Sequence, residues 1–198
     1  GAGVLPQAHV AVLVTGVGMF ATTYALGKAL RAPQYDLVLQ VGVGGAFDRG
    51  IHLGEVVFVT SDRFADLGTE DHDQYLDIFE MGLLDKNESP YNNGSLPTPL
   101  FPVHDSISMP RVNGLTVNTV SGNERTIRLR SEKYKCQVES MEGAAFHYVC
   151  LMEQVPFAQV RAISNYVTPR DKSQWKMKEA IINLNNWLMQ FADNLLDD

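Results

Sequence analysis

The chain is 198 residues long, 45% hydrophobic and 20% charged, with 23 acidic residues against 16 Lys and Arg, a formal charge of −7. That is the size of one domain with a substantial core, and the acidic balance argues against the basic face that a nucleic-acid partner requires. Two cysteines (Cys136, Cys150) make no disulfide framework, five scattered histidines offer no metal-ligand spacing, and no apolar run approaches the roughly 20 residues that span a bilayer. A cytoplasmic protein with no metal, cofactor, nucleic acid or membrane partner is expected.

The chain opens Gly1-Ala2-Gly3-Val4, without an initiator methionine, and reaches strand-like sequence at once. Gly1 reads as the scar of a removed tag and the start as a displaced one. Residues 9–15 (HVAVLVT) have the short, β-branched composition of a buried strand. After the turn Gly16-Val17-Gly18, residues 19–31 read as a helix with Phe20, Tyr24 and Leu30 on its inner face, broken by Pro33. Residues 37–41 (LVLQV) form a second apolar strand running into Gly42-Val43-Gly44-Gly45-Ala46, and residues 55–61 (EVVFVTS) a third. Strand, helix, strand in this order predicts a parallel βαβ unit with a right-handed crossover.

The middle is looser. Residues 75–82 (YLDIFEMG) fit two helical turns, and residues 84–110 hold five of the nine prolines, the composition of a loop or excursion. Order returns with a strand at 115–121 (LTVNTVS), a helix at 141–154 led in by Gln137-Val138-Glu139-Ser140, and a strand at 157–163 (FAQVRAI). A polar loop follows over 164–174. The last helix, about 175–196, carries Ile181, Leu184, Leu188, Phe191 and Leu195 as one apolar stripe. The pattern is that of an α/β domain with a mixed sheet.

Gly16-Val17-Gly18-Met19-Phe20-Ala21 fits G-x-G-x-x-A between strand and helix, as in dinucleotide sites. The acidic residue that should close the second strand is absent, because Asp36 precedes that strand, so NAD or FAD binding is rejected. The run VGVGGAFD, at a strand's end, is better suited to let main chain approach a flat ligand, with Gly44 and Gly45 as contacts. Three later segments end strands in polar groups: Val120-Ser121-Gly122-Asn123, Glu139-Ser140-Met141-Glu142 and Arg161-Ala162-Ile163-Ser164-Asn165. Arg161 lies inside an apolar strand, where an unpaired guanidinium is expensive, so it needs a carboxylate, and Glu142 is the natural candidate. On spacing alone that is a structural ion pair.

The order and wording of the segments resemble the purine nucleoside phosphorylase and nucleosidase family. The matching stretches are TGVGMFATTYALG, DLVLQVGVGGAFDRGIHLGEVVFV, VSGN, SMEGAAFHYV and VRAISNYV. They are similar to its 5'-methylthioadenosine/S-adenosylhomocysteine nucleosidase branch, and ADLGTED and RAISNYVTPRD are most similar to its futalosine hydrolase branch. The resemblance covers residue 15 to the C-terminus and is weakest across the proline-rich middle.

The resemblance implies a three-layer nucleoside phosphorylase-like α/β fold, a mixed sheet flanked by helices. It implies one nucleosidase domain over residues 1–198 that lacks the family's first strand and the general-base glutamate on it. It further implies an enzyme that cleaves an N-ribosidic bond, with a purine nucleoside as ligand and a homodimer or higher homo-oligomer as its assembly. By position, Asn165 would bond the purine, where adenine-cleaving members carry aspartate. Glu142 and Met141 would hold the ribose, and Arg161 would order the attacking water. Gly44 and Gly45 would line the purine and ribose floor, Ser164 would bind substrate, and Val120, Gly122 and Asn123 would close over the base. An amide suits a 6-oxopurine, because it donates a hydrogen bond without having to give up a proton. The branch implies futalosine as substrate, hypoxanthine as leaving base and a place in menaquinone biosynthesis. Arg125, Arg128 and Arg170 are candidates for the carboxylate at futalosine's 5' side. A phosphorolytic relative would need a basic clamp, and near the glycine loops only Lys28 and Arg31 are available. A non-catalytic nucleoside-binding protein is the third alternative.

Overall fold

A computed structural model of the chain describes residues 9–31 and 34–197. In chain order its elements are α1 (Gly18–Ala29), β1 (Val38–Ala46), β2 (Val56–Asp62), β3 (Gly68–Asp71), β4 (Gln74–Asp77), β5 (Leu96–Pro97), β6 (Arg111–Thr116), α2 (Glu124–Tyr134), β7 (Val138–Ser140), α3 (Gly143–Met152), β8 (Phe157–Tyr166) and α4 (Met177–Asp197). Short 3₁₀ turns cover Pro102–Ser106 and Lys172–Gln174. The main sheet has the order β5-β2-β6-β7-β1-β8, and β8 returns to pair with β2, which closes five strands into a ring. Pairing is mixed: β1–β8, β2–β6 and β6–β7 are parallel, whereas β1–β7 and β2–β8 are antiparallel.

β8 is the hub because nearly every residue of it is buried, the mark of a strand covered on both faces. Ile163 meets Val57, Val59, Val112 and Val138 in one cluster, while Val160 and Ala162 meet Ala180 and Leu184 of α4 in another. Leu26 of α1 packs with Phe146, Val149 and Cys150 of α3 and with Phe157. The result is a mixed sheet flanked by helices, the expected fold class. No helix among the described residues is long and apolar enough to cross a membrane.

Several expectations are corrected. Residues 9–15 pair with no strand among the described residues, and Val10, Val12 and Val14 are exposed, so the βαβ unit is not formed there. On α1 the inner face belongs to Thr22 and Leu26, while Phe20 and Tyr24 are 84% and 69% exposed; of the predicted face, Leu30 alone packs inward. Pro33 lies outside the described residues. The glycine run 42–46 continues β1 instead of leaving it as a loop, because β8 supplies a ladder partner to every residue through Ala46. Residues 75–82 are not helical. Gln74–Asp77 pairs with Gly68–Asp71 across a turn at His72, whose φ is +54°. The strand expected at 115–121 lies at Arg111–Thr116, and residues 164–166 belong to β8. The α4 stripe is borne out in part: Leu184 and Phe191 are buried, with Ala180 and Trp187 completing the inward face, while Ile181 and Leu195 are exposed. α2 has no counterpart in the sequence reading; none of its residues is buried, so it lacks the apolar periodicity that marks a helix.

Candidate active site

Arg161 is the centre of the site. The β1–β8 register sets it opposite Gly42, and it is 3% exposed. Its Nη1 donates to Glu142 Oε2 and to the Val43 carbonyl, both at 3.2 Å, its Nη2 to Gln40 Oε1 at 2.8 Å, and its Nε to Gln159 Oε1 at 2.9 Å. The ion pair expected from the cost of burying a guanidinium is therefore present. Burial pulls the Arg161 pKa down from its ordinary value, and the neighbouring carboxylates Glu142 and Asp62 oppose that shift. Gly42 makes the arrangement possible, since a Cβ there would lie 2.5 Å from Nη1.

Glu142 stands at the N-cap of α3 but does not cap it with its side chain. Its Oε1 accepts from the Gly18 amide at 3.0 Å, at the start of α1. The Gly16–Gly18 turn thus holds a protein carboxylate at a helix N-terminus, where negative charge is favoured. Gly18 has φ +88°, a conformation that suits glycine. One oxygen of Glu142 meets a helix end and the other the guanidinium, and each keeps a further lone pair. A cavity of about 530 Å³ opens over this pair, bounded by Gln40, Val43, Phe146, residues 11–13 and the Thr15-Gly16 turn.

Asn165, Ser164, Gly44 and Gly45 form a second group and do not line that cavity. The β1–β8 register shifts between Gly44 and Gly45, pairing Gly44 with Ile163 and Gly45 with Asn165. Ser164 Oγ is 2.8 Å from Asn165 Oδ1 and 3.3 Å from the Gly44 carbonyl, and Asn165 Nδ2 donates to the Tyr166 carbonyl at 3.0 Å. Because the Tyr166 carbonyl only accepts, the amide is fixed with its nitrogen on that side, and one N–H remains for a ligand. A Cβ on Gly45 would lie 3.2 Å from that nitrogen. Gly44 joins the two groups: a Cβ on it would meet Arg161 Cβ at 3.8 Å and the Glu139 carbonyl at 3.1 Å. Met141, half-buried, directly precedes Glu142.

The segment expected to close over the base, residues 120–123, is held from below. Ser121 donates to Glu139 through its amide at 2.9 Å and its hydroxyl at 2.5 Å, and Arg130 Nη1 reaches Ser121 Oγ at 2.8 Å. Burial pushes the Glu139 carboxyl up, and these donors oppose the shift. Val120 and Gly122 stay open, while Asn123 accepts from the Thr126 amide as the N-cap of α2. Of the arginine candidates, Arg125 pairs with exposed Asp73, and Arg170 lies over the Trp175 ring with its Cβ 4.0 Å from where a Gly122 Cβ would be. Lys28 lies over the Tyr24 ring, and Arg161 is the one cation among the described residues lining the cavity. No group of three or more His, Cys, Asp and Glu among the described residues could hold a metal ion.

Sequence reasoning missed Gln40, Gly42, Gln159 and Asp62. Gly42 was within reach, since a buried arginine on one strand demands a residue without a side chain opposite it. Gln159 carried a signal too, being a polar residue two positions before Arg161 on the same face of an apolar strand.

A model of the phosphorylase superfamily matches residues 2–196. The chain is 31% identical over 166 residues to a futalosine hydrolase of Streptomyces coelicolor, covering 83% of this chain and 68% of that one. It is 30% identical over 172 residues to a futalosine hydrolase of Thermus thermophilus, covering 85% and 75%. Among solved structures, a 5'-methylthioadenosine/S-adenosylhomocysteine nucleosidase from Colwellia psychrerythraea in complex with adenine superposes with a TM-score of 0.72 at 21% identity, covering 92% of this chain and 75% of that one. The futalosine hydrolase of Helicobacter pylori gives 0.72 at 14% identity, covering 91% and 77%. The chain belongs to the phosphorylase superfamily and, within it, to the nucleosidases that include the futalosine hydrolases.

Proposed function

We propose that the chain hydrolyses the N-ribosidic bond of futalosine, releasing hypoxanthine and dehypoxanthine futalosine in menaquinone biosynthesis. The observation that carries this reading is the fixed amide of Asn165, which offers an N–H and has no acidic proton to give. The bond from C1' to the purine breaks with its electron pair leaving on the base, and water adds to the oxocarbenium-like sugar. A 6-oxopurine takes up that charge on its own lactam, so a hydrogen bond to N7 or O6 is sufficient, whereas adenine leaves more readily with a proton delivered to N7. Glu142 has one lone pair left on each oxygen, enough to accept from the 2'- and 3'-hydroxyls, and Met141 packs on the sugar. Charge pushed through those hydroxyls strengthens as the ring becomes cationic, which favours the transition state over the bound substrate.

In this reading Arg161 holds Glu142 and orders the water; Gly44, Gly45 and Ser164 form the floor, and Val120, Gly122 and Asn123 the cover. The family's general base toward the water is carried over to no residue of this chain. A homodimer or higher homo-oligomer in the cytoplasm belongs to the same reading. A second reading, cleavage of an adenine nucleoside, is favoured by a 27% identical 5'-methylthioadenosine/S-adenosylhomocysteine nucleosidase of Glaesserella parasuis. Incubation with futalosine, inosine, methylthioadenosine and adenosylhomocysteine, with and without phosphate, decides between them when the free base is measured. Phosphate-independent release of hypoxanthine from futalosine is expected; preference for an adenine nucleoside overturns the argument from Asn165.

A further inference from the structure

Beneath Arg161 lies a buried polar chain for which ribose binding and water ordering alone give no account. Asp62, at the end of β2, is 1% exposed and lies 97 residues before Gln159. Its Oδ2 accepts from Gln159 Nε2 at 3.0 Å, and its Oδ1 accepts from Thr116 Oγ1 and from the Arg63 amide, both at 2.8 Å.

The sense of the chain is fixed by its far end. His147 Nδ1 is 2.8 Å from the Leu96 carbonyl, which can only accept, so this nitrogen carries the proton. His147 Nε2 then accepts, and the Gln159 atom 2.9 Å away must be the amide nitrogen. Gln159 Oε1 is thereby turned to Arg161 Nε at 2.9 Å. Burial holds His147 neutral, with its pKa down at about 4.

A second route leads from the same carboxylate to the other half of the ion pair. Thr116 Oγ1, which donates to Asp62, accepts from the Ala144 amide at 2.7 Å, in the first turn of α3 and two residues past Glu142. Gly143 lies so close over Asp62 that a Cβ there would run into the carboxylate. One buried group thus ties down both the arginine and the start of the helix that presents the glutamate.

We propose that Asp62 is a positioning residue for this site: through Gln159 it orients Arg161 and shares its charge, and through Thr116 it anchors the helix start that carries Glu142. The inference rests on the ribose role of Glu142 proposed above. The physical reason is charge balance. With Glu142 as its sole counter-ion, Arg161 would compete with the sugar hydroxyls for that carboxylate. A second anion behind an amide takes part of that demand and frees the remaining lone pairs of Glu142. Neutral Gln159 keeps the two carboxylates from sharing one guanidinium edge.

The test is a double-mutant cycle on the purified chain with Asp62→Asn and Glu142→Gln, following kcat and KM for futalosine. Asp62→Asn is expected to lower kcat about 30-fold, within the roughly 10² that a misplacement of about 1 Å produces, and to move KM less than about threefold. In the Glu142→Gln background the same substitution is expected to change kcat less than about threefold, because its effect passes through Glu142. An equal loss in both backgrounds, or a lower melting temperature with kcat intact, makes Asp62 merely structural and overturns the proposal. If Glu142→Gln leaves turnover unchanged, or no nucleoside is cleaved, the ribose reading fails separately. The relay is then judged by ¹⁵N-arginine NMR in Gln159→Met: at least about tenfold faster solvent exchange at Arg161 Nε–H supports it, and unchanged exchange overturns it.

Discussion

Replacing Gly42 by alanine puts one methyl group against the Arg161 guanidinium. The added carbon would lie 2.5 Å from Arg161 Nη1 and 3.4 Å from Cζ. Non-bonded heavy atoms separate at roughly 3.5 Å, so the guanidinium must retreat by about 1 Å. Nη1 holds Glu142 and the Val43 carbonyl at 3.2 Å each, and a retreat of that size takes both beyond hydrogen-bonding reach. Over-packing of this kind destabilises by about 1–3 kcal/mol. The larger effect falls on turnover, where a displacement of about 1 Å lowers the rate about 10²-fold. The assay is hypoxanthine release from futalosine, coupled to xanthine oxidase, with the folded fraction fixed by a thermal melt. Turnover within about threefold of the wild type at an unchanged melting temperature would refute the steric reasoning.

Gly27 is the matching control, since an added Cβ there meets nothing within 4 Å and the residue sits inside α1; Gly27→Ala should stabilise the chain by about 1 kcal/mol in urea unfolding with turnover unchanged. Asn165→Asp should lose at least about tenfold in kcat/KM for futalosine and gain on methylthioadenosine, measured by base release, because a carboxyl group can deliver a proton to N7 and a carboxamide cannot. Burial raises the Asp62 pKa from 3.8 to about 6 and lowers that of His147 from 6.5 to about 4. The Asp62 contribution is full below its unfolded value and lost as pH rises through about 6, whereas that of His147 is full above 6.5 and lost as pH falls through about 4. Each amounts to about 3 kcal/mol and the two oppose, so with Asp62→Asn stability should climb more steeply with pH between about 4 and 6 than in the wild type, read from urea midpoints.

What could be read from the sequence followed the physics of burial. β2 and β8 are apolar runs whose residues are mostly buried, β1 is an apolar run half-buried beside the cavity, and a chain of that composition has few other places to go. Arg161 announced a carboxylate partner because an unpaired guanidinium cannot be buried cheaply, and Glu142 is that partner. α2 escaped notice because its residues stay at the surface, and its one clear mark is the Asn123 cap. Residues 75–82 have helical spacing at Tyr75, Ile78 and Phe79, but residues 75–77 lie in β4, paired with β3 across the turn at Asp71-His72-Asp73, and residues 78–82 form turns. The pairing of Asp62 with Gln159 was out of reach for a different reason. Their partnership spans 97 residues and depends on β2 and β8 being adjacent, a fact of topology that no local pattern encodes. Residues 9–15 have the composition of a strand, but a strand also needs a ladder partner.

The register shift between Gly44 and Gly45 acts as a change of phase along β8. In an unbroken ladder Arg161, Ile163 and Asn165 would point the same way, and any adjustment at one would be transmitted along the face to the others. The extra residue, Ser164, interrupts that alternation and gives position 165 its own orientation. On the proposed reading, the sugar end and the base end of one strand can then diverge separately. On that reading, a lineage with this fold exchanges the leaving base by altering position 165 and its serine neighbour while Arg161, which holds Glu142, stays in place.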